Sequence, residues 1–541
     1  MIRRMTLHGP FLVALVATAA TLATLAPDGW GPGVTCDEIC LIDQGKQLVA
    51  AMRHQGWAFF TPSNVEQNFC WPPDGPPVQA PLGYVILGLS HALLDPAPDN
   101  PDVVSVAAAR FAPAMAFGLL ILLVGRWTAR REGPVAGTMA AAAVALMPRT
   151  FAHAHLAALD MLTALFFVAA VFAATEAVRL GRRWVYVLAG VAWGATLLIR
   201  LHGLLIVPPV AVWLVWRLRR RAVVPLVCWL ASGAATFFVG WPWLWTDPAS
   251  RLWQYLATGP WRPSLHVFYF GQAWADRAVP WHYPWVLFAV TVPVGFLALG
   301  VFGMWKFFHE KSANGQSPAF HSDLLCPCSA LLFVLLMFSW PGVPVYDGVR
   351  LFLMVFPLWA IWVGVGVGRL IGRSWWWNSA LAGFVVLQGV GLAAYFPCQL
   401  SYYNALVGGL PGAVQLGFEA TYWGDTVREP MLAEAARRAS GGPVFFAPSL
   451  APYQPAGVTL NSRSLQQSGS MLIGWKLESA TTLPRCRYAI VYHRRADMAE
   501  VEALLRMGRV VAEYRMQGVW LSRLVELTHV PIQSGVSIRE N

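Results

Sequence analysis

Charge is what this sequence has least of. Of its 541 residues only 12% are Asp, Glu, Lys or Arg, against about 25% in an average soluble protein. Hydrophobic residues make up 57%. That balance excludes an ordinary cytosolic enzyme, and it equally excludes a disordered or fibrous chain. Cysteine is also scarce, 8 in all, so this is no scaffold built from disulfides. No Walker phosphate loop is present, which removes an ATP-driven pump, and no internal repeat is visible. An α-helical polytopic membrane protein is the class that remains.

A bilayer span needs roughly 17–25 apolar residues of helix. Such stretches lie near 11–26, 103–125, 134–150, 156–178, 185–199, 203–216, 222–241, 284–306, 324–340, 349–370 and 376–396, which predicts about 11 transmembrane helices. The basic residues then set orientation. Arg3 and Arg4 precede the first stretch; Arg126, Arg130 and Arg131 follow the second; Arg179, Arg182 and Arg183 follow the fourth. Arg217, Arg219, Arg220 and Arg221 follow the sixth, and Lys306 and Lys311 the eighth. All fall on one side if the N-terminus is cytoplasmic, as the positive-inside rule requires. The net charge of +11 is thus accounted for by membrane orientation, and nucleic acid is not an expected partner. Pro27 and Trp30 make a poor signal-cleavage site, so the first stretch is expected to stay as an anchor. The expected location is the cytoplasmic (inner) membrane.

This topology predicts a transmembrane domain over 1–396, with large outside loops at 27–102 and 242–283, and an extracytoplasmic domain over 397–541. The last piece alternates helix-like EPMLAEAARRAS (429–440) and DMAEVEALLRMG (497–508) with strand-like PVFFA (443–447), YAIVY (488–492) and VVAEYRM (510–516). That pattern predicts a small α/β domain. It has no glycine-rich phosphate loop and reads as accessory. Cys70 is a candidate disulfide partner for Cys36 or Cys40, and Cys398 for Cys486.

Carboxylates near lipid are expensive and need a reason. The first outside loop opens with TCDEICLIDQGKQL (35–48). Asp37 and Glu38 are adjacent, so on a helix they point about 100° apart. One faces a given site while the other caps or orients. Ile39, Ile42 and Leu48 make the segment an amphipathic helix expected along the membrane surface. The second acidic place is MPRTFAHAHLAALD (147–160), where Asp160 sits at the mouth of the fourth stretch and shares a helical face with His153 if the helix extends back that far. The HAH of 153–155 with Asp160 offers three potential metal ligands, but nothing fixes their geometry, and no metal is assigned. For each of these residues the plainer role is a helix cap or an interfacial anchor.

Several motifs occur in one order: DE (37–38), QAPLGYVILGL (79–89), AARFAPA (108–114), PRTFAHAHLAALD (148–160), YFGQAW with WHYPW (269–285), VYDGVRLFLMVFP (345–357), and QLSYYNALVGG with YWGD (399–425). In this order the chain resembles the C-type glycosyltransferase superfamily, on the branch of family 39 protein O-mannosyltransferases and lipid A aminoarabinose transferases. The resemblance implies a transferase that takes a sugar from a polyprenyl phosphate and delivers it, at the outer face, to a hydroxyl of a lipid, glycan or protein. It implies Asp37, with Glu38 beside it, as the base, and Asp160 as a second catalytic carboxylate. Relatives often read HPPLG where this chain has QAPLG, so a basic side chain is absent at Gln79.

The chemistry follows from physical need. The donor carries its own leaving group, so no nucleotide is required and no cofactor is expected; a divalent cation is compatible but not called for. An acceptor hydroxyl must lose its proton as it attacks C1, and a carboxylate in reach accepts it. Single displacement inverts the anomeric centre. The departing phosphate needs cations, for which guanidinium is suited. Arg200, Arg262, Arg350, His153, His155, His266 and Tyr269 are the candidate binding residues, with Arg110 and Arg149 behind them. Two other classes compete: a transporter of lipid-linked sugar, and an inactive subunit of an envelope complex. A transporter would place ionisable groups near the midplane and often shows repeats.

Overall fold

The computed structural model describes residues 2–69, 77, 79–96, 104–261, 264–310, 323–372, 374–477 and 486–528, without the side chains of 2–7 and 258–261. Helix dominates. Each of the eleven apolar stretches is helical, yet length divides them. Among the described residues, four helical runs are long and apolar enough to cross a membrane, and up to six if each of two bent pairs is one span. Five other apolar helices, Arg183–Ile199 among them, have only 10–17 residues. The expected count of eleven full spans is therefore not confirmed among the described residues, for two physical reasons. Proline breaks the stretch 134–150 into Pro134–Leu146 and Pro148–Ala154, bent by 68°, and the stretch 284–306 into Tyr283–Thr291 and Val294–His309, bent by 112°. Other stretches give up their ends to turns and 3-10 segments.

One long run needs care. Leu201–Val239 is helical nearly throughout, but it folds back at Arg219–Ala222, where Arg219 takes a φ of 53°. Both its ends lie beside the same turn: a Cβ on Gly203 would meet Leu197, and one on Gly240 would meet Leu198. It is two antiparallel segments.

The ends of the bundle differ in kind. At one end, Arg131 pairs with Glu176 (3.0 Å) and Asp323 (3.1 Å), and Arg369 pairs with Glu132 (2.9 Å) and Glu310 (3.0 Å). These residues cap the helices Val106–Glu132, Leu159–Leu180, Val294–His309 and Val355–Leu370. The opposite end carries the two long loops. The first holds the helices Cys36–Gln55, Pro62–Phe69 and Pro81–Leu94. The second holds Pro248–Trp261 and an antiparallel hairpin pairing His266–Tyr269 with Gln272–Ala275. Phe59, Phe69, Tyr84, Trp241, Trp243 and Tyr255 form a shared apolar core between the two loops, and Arg251 pairs with Glu66 across it at 2.5 Å. Helix Cys36–Gln55 buries Ile39, Ile42 and Leu48 as its apolar pattern predicts. It crosses Pro81–Leu94 through glycine: a Cβ on Gly88 would lie 2.1 Å from the Gly45 carbonyl oxygen, so only small residues let these backbones meet.

A five-stranded sheet stands on the same end. Its order is Leu472–Gly474, Val444–Ala447, Tyr488–Tyr492, Val519–Leu527 and Gly508–Met516. The first three strands are parallel and the last two antiparallel. Helices Glu429–Ala439 and Met498–Arg506 accompany it, at the places the sequence pattern indicates. Leu472–Gly474 is too short for its pattern to have revealed it. The cysteines differ from expectation. Cys398 and Cys486 are both free thiols; Cys398 faces the Asp425 carbonyl, while Cys486 lies in an apolar cluster with Trp475 and Val501. Cys36 is a free thiol as well, and a pairing of Cys70 lies outside the described residues.

One buried ion pair ties the loops to the bundle. Every N–H of the Arg110 guanidinium is used: Nε and one Nη donate to the two oxygens of Glu38 (2.7 and 2.8 Å), and the rest reach the carbonyls of Leu25, Pro32 and Gly33 at 2.8–3.0 Å. Both side chains have 0% exposure. Breaking one partner of such a pair costs about 3–5 kcal/mol because the other charge stays buried and unpaired. Glu38→Gln and Arg110→Met are each expected to lower the melting temperature of the detergent-solubilised chain by more than the double variant does. Thermal unfolding of the three proteins checks this.

Candidate active site

Asp37 and Glu38 sit in the first turn of helix Cys36–Gln55 and part company as a 100° step demands. Thr35 is the N-cap and Glu38 its capping-box partner. The Glu38 Oε2 accepts from the Thr35 backbone N–H at 2.9 Å and its hydroxyl at 3.0 Å, and Oε1 accepts from the Ala157 N–H at 2.7 Å. With Arg110 added, both oxygens are saturated. Asp37 is left to point the other way, with its side chain 31% exposed.

What Asp37 meets is Arg350. An Nη of Arg350 donates to Asp37 Oδ2 at 2.6 Å and its other Nη to Asp347 Oδ2 at 3.0 Å. Its Nε lies 3.6 Å from Asp160 Oδ1. Asp160, in the first turn of helix Leu159–Leu180, is held in turn by Arg200 at 2.5 Å. One guanidinium therefore joins three carboxylates, each from a different part of the chain. Trp423 completes the group: its ring lies 4.2 Å from the Arg350 guanidinium, and its indole N–H donates to Asp347 at 2.9 Å. Cation–π contact of this kind favours a desolvated charge.

His153 packs edge-on against Trp423, 5.7 Å between centroids, with Nδ1 at 3.8 Å from Asp160. Both nitrogens of His153, Oδ2 of Asp160 and Nε of Arg350 are buried and make no hydrogen bond. Orphaned buried polar atoms are rare in folded proteins, and here four gather in one place. His155 does not join them. Its Nδ1 donates to the Phe151 carbonyl and its Nε2 faces the Thr24 hydroxyl, both at 2.8 Å, so the three potential metal ligands do not converge. Arg149 lies among tyrosines, reaching the Tyr402 carbonyl at 3.2 Å and the Tyr422 hydroxyl at 3.3 Å.

Two further candidates fall beside the group. The Tyr269 hydroxyl bonds His282 at 2.7 Å inside an aromatic cluster with Tyr283 and Phe418. His266 lines a narrow neighbouring cleft together with Asp347, Glu419, Tyr422 and Arg494. Arg262 lies outside the described residues. Asp347, Trp423 and Arg494 are the residues that sequence reasoning did not single out. Asp347 stood next to Arg350 in VYDGVR and Trp423 within YWGD, but neither motif says that the two segments meet.

The segment around Trp423 is also the seat of Asp425. Burial raises this carboxyl to about 6, above the ordinary value of about 3.9. Oδ1 accepts from the Thr421 hydroxyl at 2.9 Å, while Oδ2 makes no hydrogen bond. The fold thus favours the protonated acid. Its contribution to stability is whole below the ordinary carboxylate range and is lost as pH rises through about 6. Melting temperature is expected to fall between about pH 4 and pH 7, and the fall should be shallower in Asp425→Asn.

Comparison with known proteins bears on the fold that carries this site. Residues 93–247 match the family Dolichyl-phosphate-mannose-protein mannosyltransferase. No curated protein matches the chain in sequence. Among solved structures, the chain is similar to ArnT from Cupriavidus metallidurans in the apo state, with 15% identity over 95% of this chain and 97% of that one and a TM-score of 0.52. The same protein bound to undecaprenyl phosphate gives 15% identity, the same coverage of 95% and 97%, and a TM-score of 0.50. The likeness to the C-type glycosyltransferases read from the sequence holds on both counts, in the segment 93–247 and in a fold shared over nearly the whole chain.

Proposed function

We propose that this protein is an inverting glycosyltransferase that moves a sugar from a polyprenyl phosphate to a hydroxyl acceptor at the outer face of the inner membrane. The observation that carries the reading is the half-exposed carboxylate of Asp37 set beside two buried arginines, Arg350 and Arg200, and four orphaned polar atoms. The likeness to ArnT, one structure of which holds undecaprenyl phosphate, supports the donor class. The side of the membrane is supported by position, because the Arg131 and Arg369 networks lie at the end of the bundle opposite the site.

In this mechanism Asp37 accepts the acceptor's hydroxyl proton as that oxygen attacks C1 of the sugar. The C1–O bond to phosphate breaks, and its electron pair leaves with the polyprenyl phosphate. Arg350 and Arg200 hold the phosphate oxygens as negative charge develops; guanidinium suits this work because it offers paired N–H groups and stays charged. Asp160 keeps both arginines aligned while the site is empty of donor. His153 offers its free nitrogens to the sugar or phosphate. Glu38 takes no proton, since both its oxygens are saturated, and instead fixes the direction of Asp37. The prenyl chain lies in the bilayer, so the donor reaches the site without leaving the membrane.

The test uses purified protein in detergent with a panel of short-chain polyprenyl-phosphate sugars, donor loss being followed by mass spectrometry. Asp37→Asn is expected to lower turnover about 100-fold or more while undecaprenyl phosphate still binds. Full activity in the variant overturns Asp37 as the base. No donor loss with wild type, together with phosphate binding unchanged by the substitution, favours the transporter or inactive-subunit reading.

A further inference from the structure

The strand Tyr488–Tyr492 belongs to the C-terminal sheet, and Arg494 lies two residues beyond its end. Its backbone is pinned: the N–H of His493 donates to the Leu521 carbonyl and that of Arg494 to the Tyr492 carbonyl, both at 2.9 Å. The side chain is 6% exposed and reaches away from the sheet. It pairs with Asp347 Oδ1 at 3.1 Å, bonds the Tyr422 carbonyl, and pairs with Asp497 at 2.5 Å.

Asp347 is an unusual residue to find there. Its φ of 54° lies in the left-handed region, and Gly348 follows with a φ of 69°. A non-glycine residue accepts that conformation only when its surroundings hold it. Three groups do so: Arg350 and the Trp423 indole on Oδ2, and Arg494 on Oδ1. The same stretch of the C-terminal region also holds the helix that carries Asp37. The Trp423 carbonyl accepts from the Cys36 N–H at 3.2 Å, and the Asp425 carbonyl from the Gly33 N–H at 2.8 Å.

We infer that Arg494 is a positioning residue of the active site, acting through Asp347 to hold Arg350 against Asp37, so that the C-terminal domain completes the site. The inference rests on the transferase reading above. With Arg494 present, Asp347 divides its two oxygens between two guanidinium groups. Without it, Oδ1 loses its guanidinium partner and is free to draw on Arg350, the other guanidinium at this carboxylate. Arg350 then swings toward Asp347, and the strained turn at 347–348 loses a tether. Both changes displace the group that stands between Asp37 and the donor phosphate. The effect is on the geometry of the chemical step more than on donor capture, which also draws on Arg200 and the prenyl chain.

The experiment uses the full chain in detergent, comparing wild type with Arg494→Gln, Arg494→Lys and Asp37→Asn. Arg494→Gln is expected to lower kcat for a short-chain polyprenyl-phosphate sugar about ten-fold or more, with KM changed less than about two-fold. Hydrogen–deuterium exchange of the peptide covering 345–352 should speed up about ten-fold, while strands 444–447 and 488–492 keep wild-type protection. Arg494→Lys, which retains one charged contact to Asp347, should recover most of the lost kcat. Unchanged exchange at 345–352 overturns the inference, as does a kcat retained in Arg494→Gln or a loss confined to KM. Loss of protection in the sheet that Arg494→Lys does not restore also overturns it, since the residue would then serve only the fold. Activity unaffected by Asp37→Asn overturns the reading of Asp37 as base, and the exchange at 345–352 still decides whether Arg494 holds Asp347.

Discussion

Five N–H groups on one buried guanidinium decide which way a carboxylate points. Arg110 spends all of them on Glu38 and on three loop carbonyls between Leu25 and Gly33. A guanidinium without water around it tolerates no spare donor, so the loop that enters helix Cys36–Gln55 has one arrangement open to it. Once Glu38 is turned inward, the helical step turns Asp37 outward onto Arg350. The pair itself adds little net stability for its burial cost. Its value lies in register: the direction of Asp37 is set by a neighbour one residue away, through contacts that never touch the site.

The rest of the site is an exercise in shared charge. Asp37, Asp160 and Asp347 meet Arg350, while Arg200 and Arg494 steady the outer two carboxylates. Every carboxylate has a cation within reach, so burial next to the membrane is tolerable. Yet the partnership is incomplete by design of geometry: Asp160, Arg350 and His153 keep polar atoms with no hydrogen bond. A structural ion network would close on itself, as that of Arg110 and Glu38 does. This one keeps four buried polar atoms without a hydrogen bond close to the partly exposed Asp37.

The C-terminal region is more than a covering. Its sheet is packed on both faces: Phe446, Ile490 and Leu524 belong to the large apolar core that also contains the bundle helices, while Val501 and Leu504 belong to a separate cluster on the other side. But the segment that leads into it supplies Trp423, and the strand end supplies Arg494. Gly424 has a φ of 92°, which turns the chain sharply between Trp423 and Asp425, so that one carbonyl caps the Asp37 helix at Cys36 and the next holds Gly33. Side chain and backbone of one short motif thus serve two parts of the site together.

Much of this was legible in the sequence. Hydrophobic runs placed the helices that are long and apolar enough to cross a membrane, though not their number, since apolar length is a property of consecutive residues. Alternation and helical pattern placed three of the five C-terminal strands and both main helices there. The adjacent pair at 37–38 already implied one inward and one outward carboxylate, because the helix fixes the angle between neighbours. The order of the loop motifs indicated the glycosyltransferase likeness and brought Asp160 forward, and the need for cations at a departing phosphate brought Arg200 and Arg350. Beyond that point tertiary structure decided. Breaks at proline turned two expected spans into bent pairs, and the bend angles depend on what packs at the corner. Cys398 and Cys486 are far apart in environment, which their count and compartment did not reveal. His155 turned to Thr24, Glu38 was given to Arg110, and Asp347, Trp423 and Arg494 entered the site from segments distant in sequence. A sequence carries the kinds of side chain and the period at which they recur. Which carboxylate is saturated and which stays open is set by the partners that folding brings within 3 Å, and those come from anywhere in the chain.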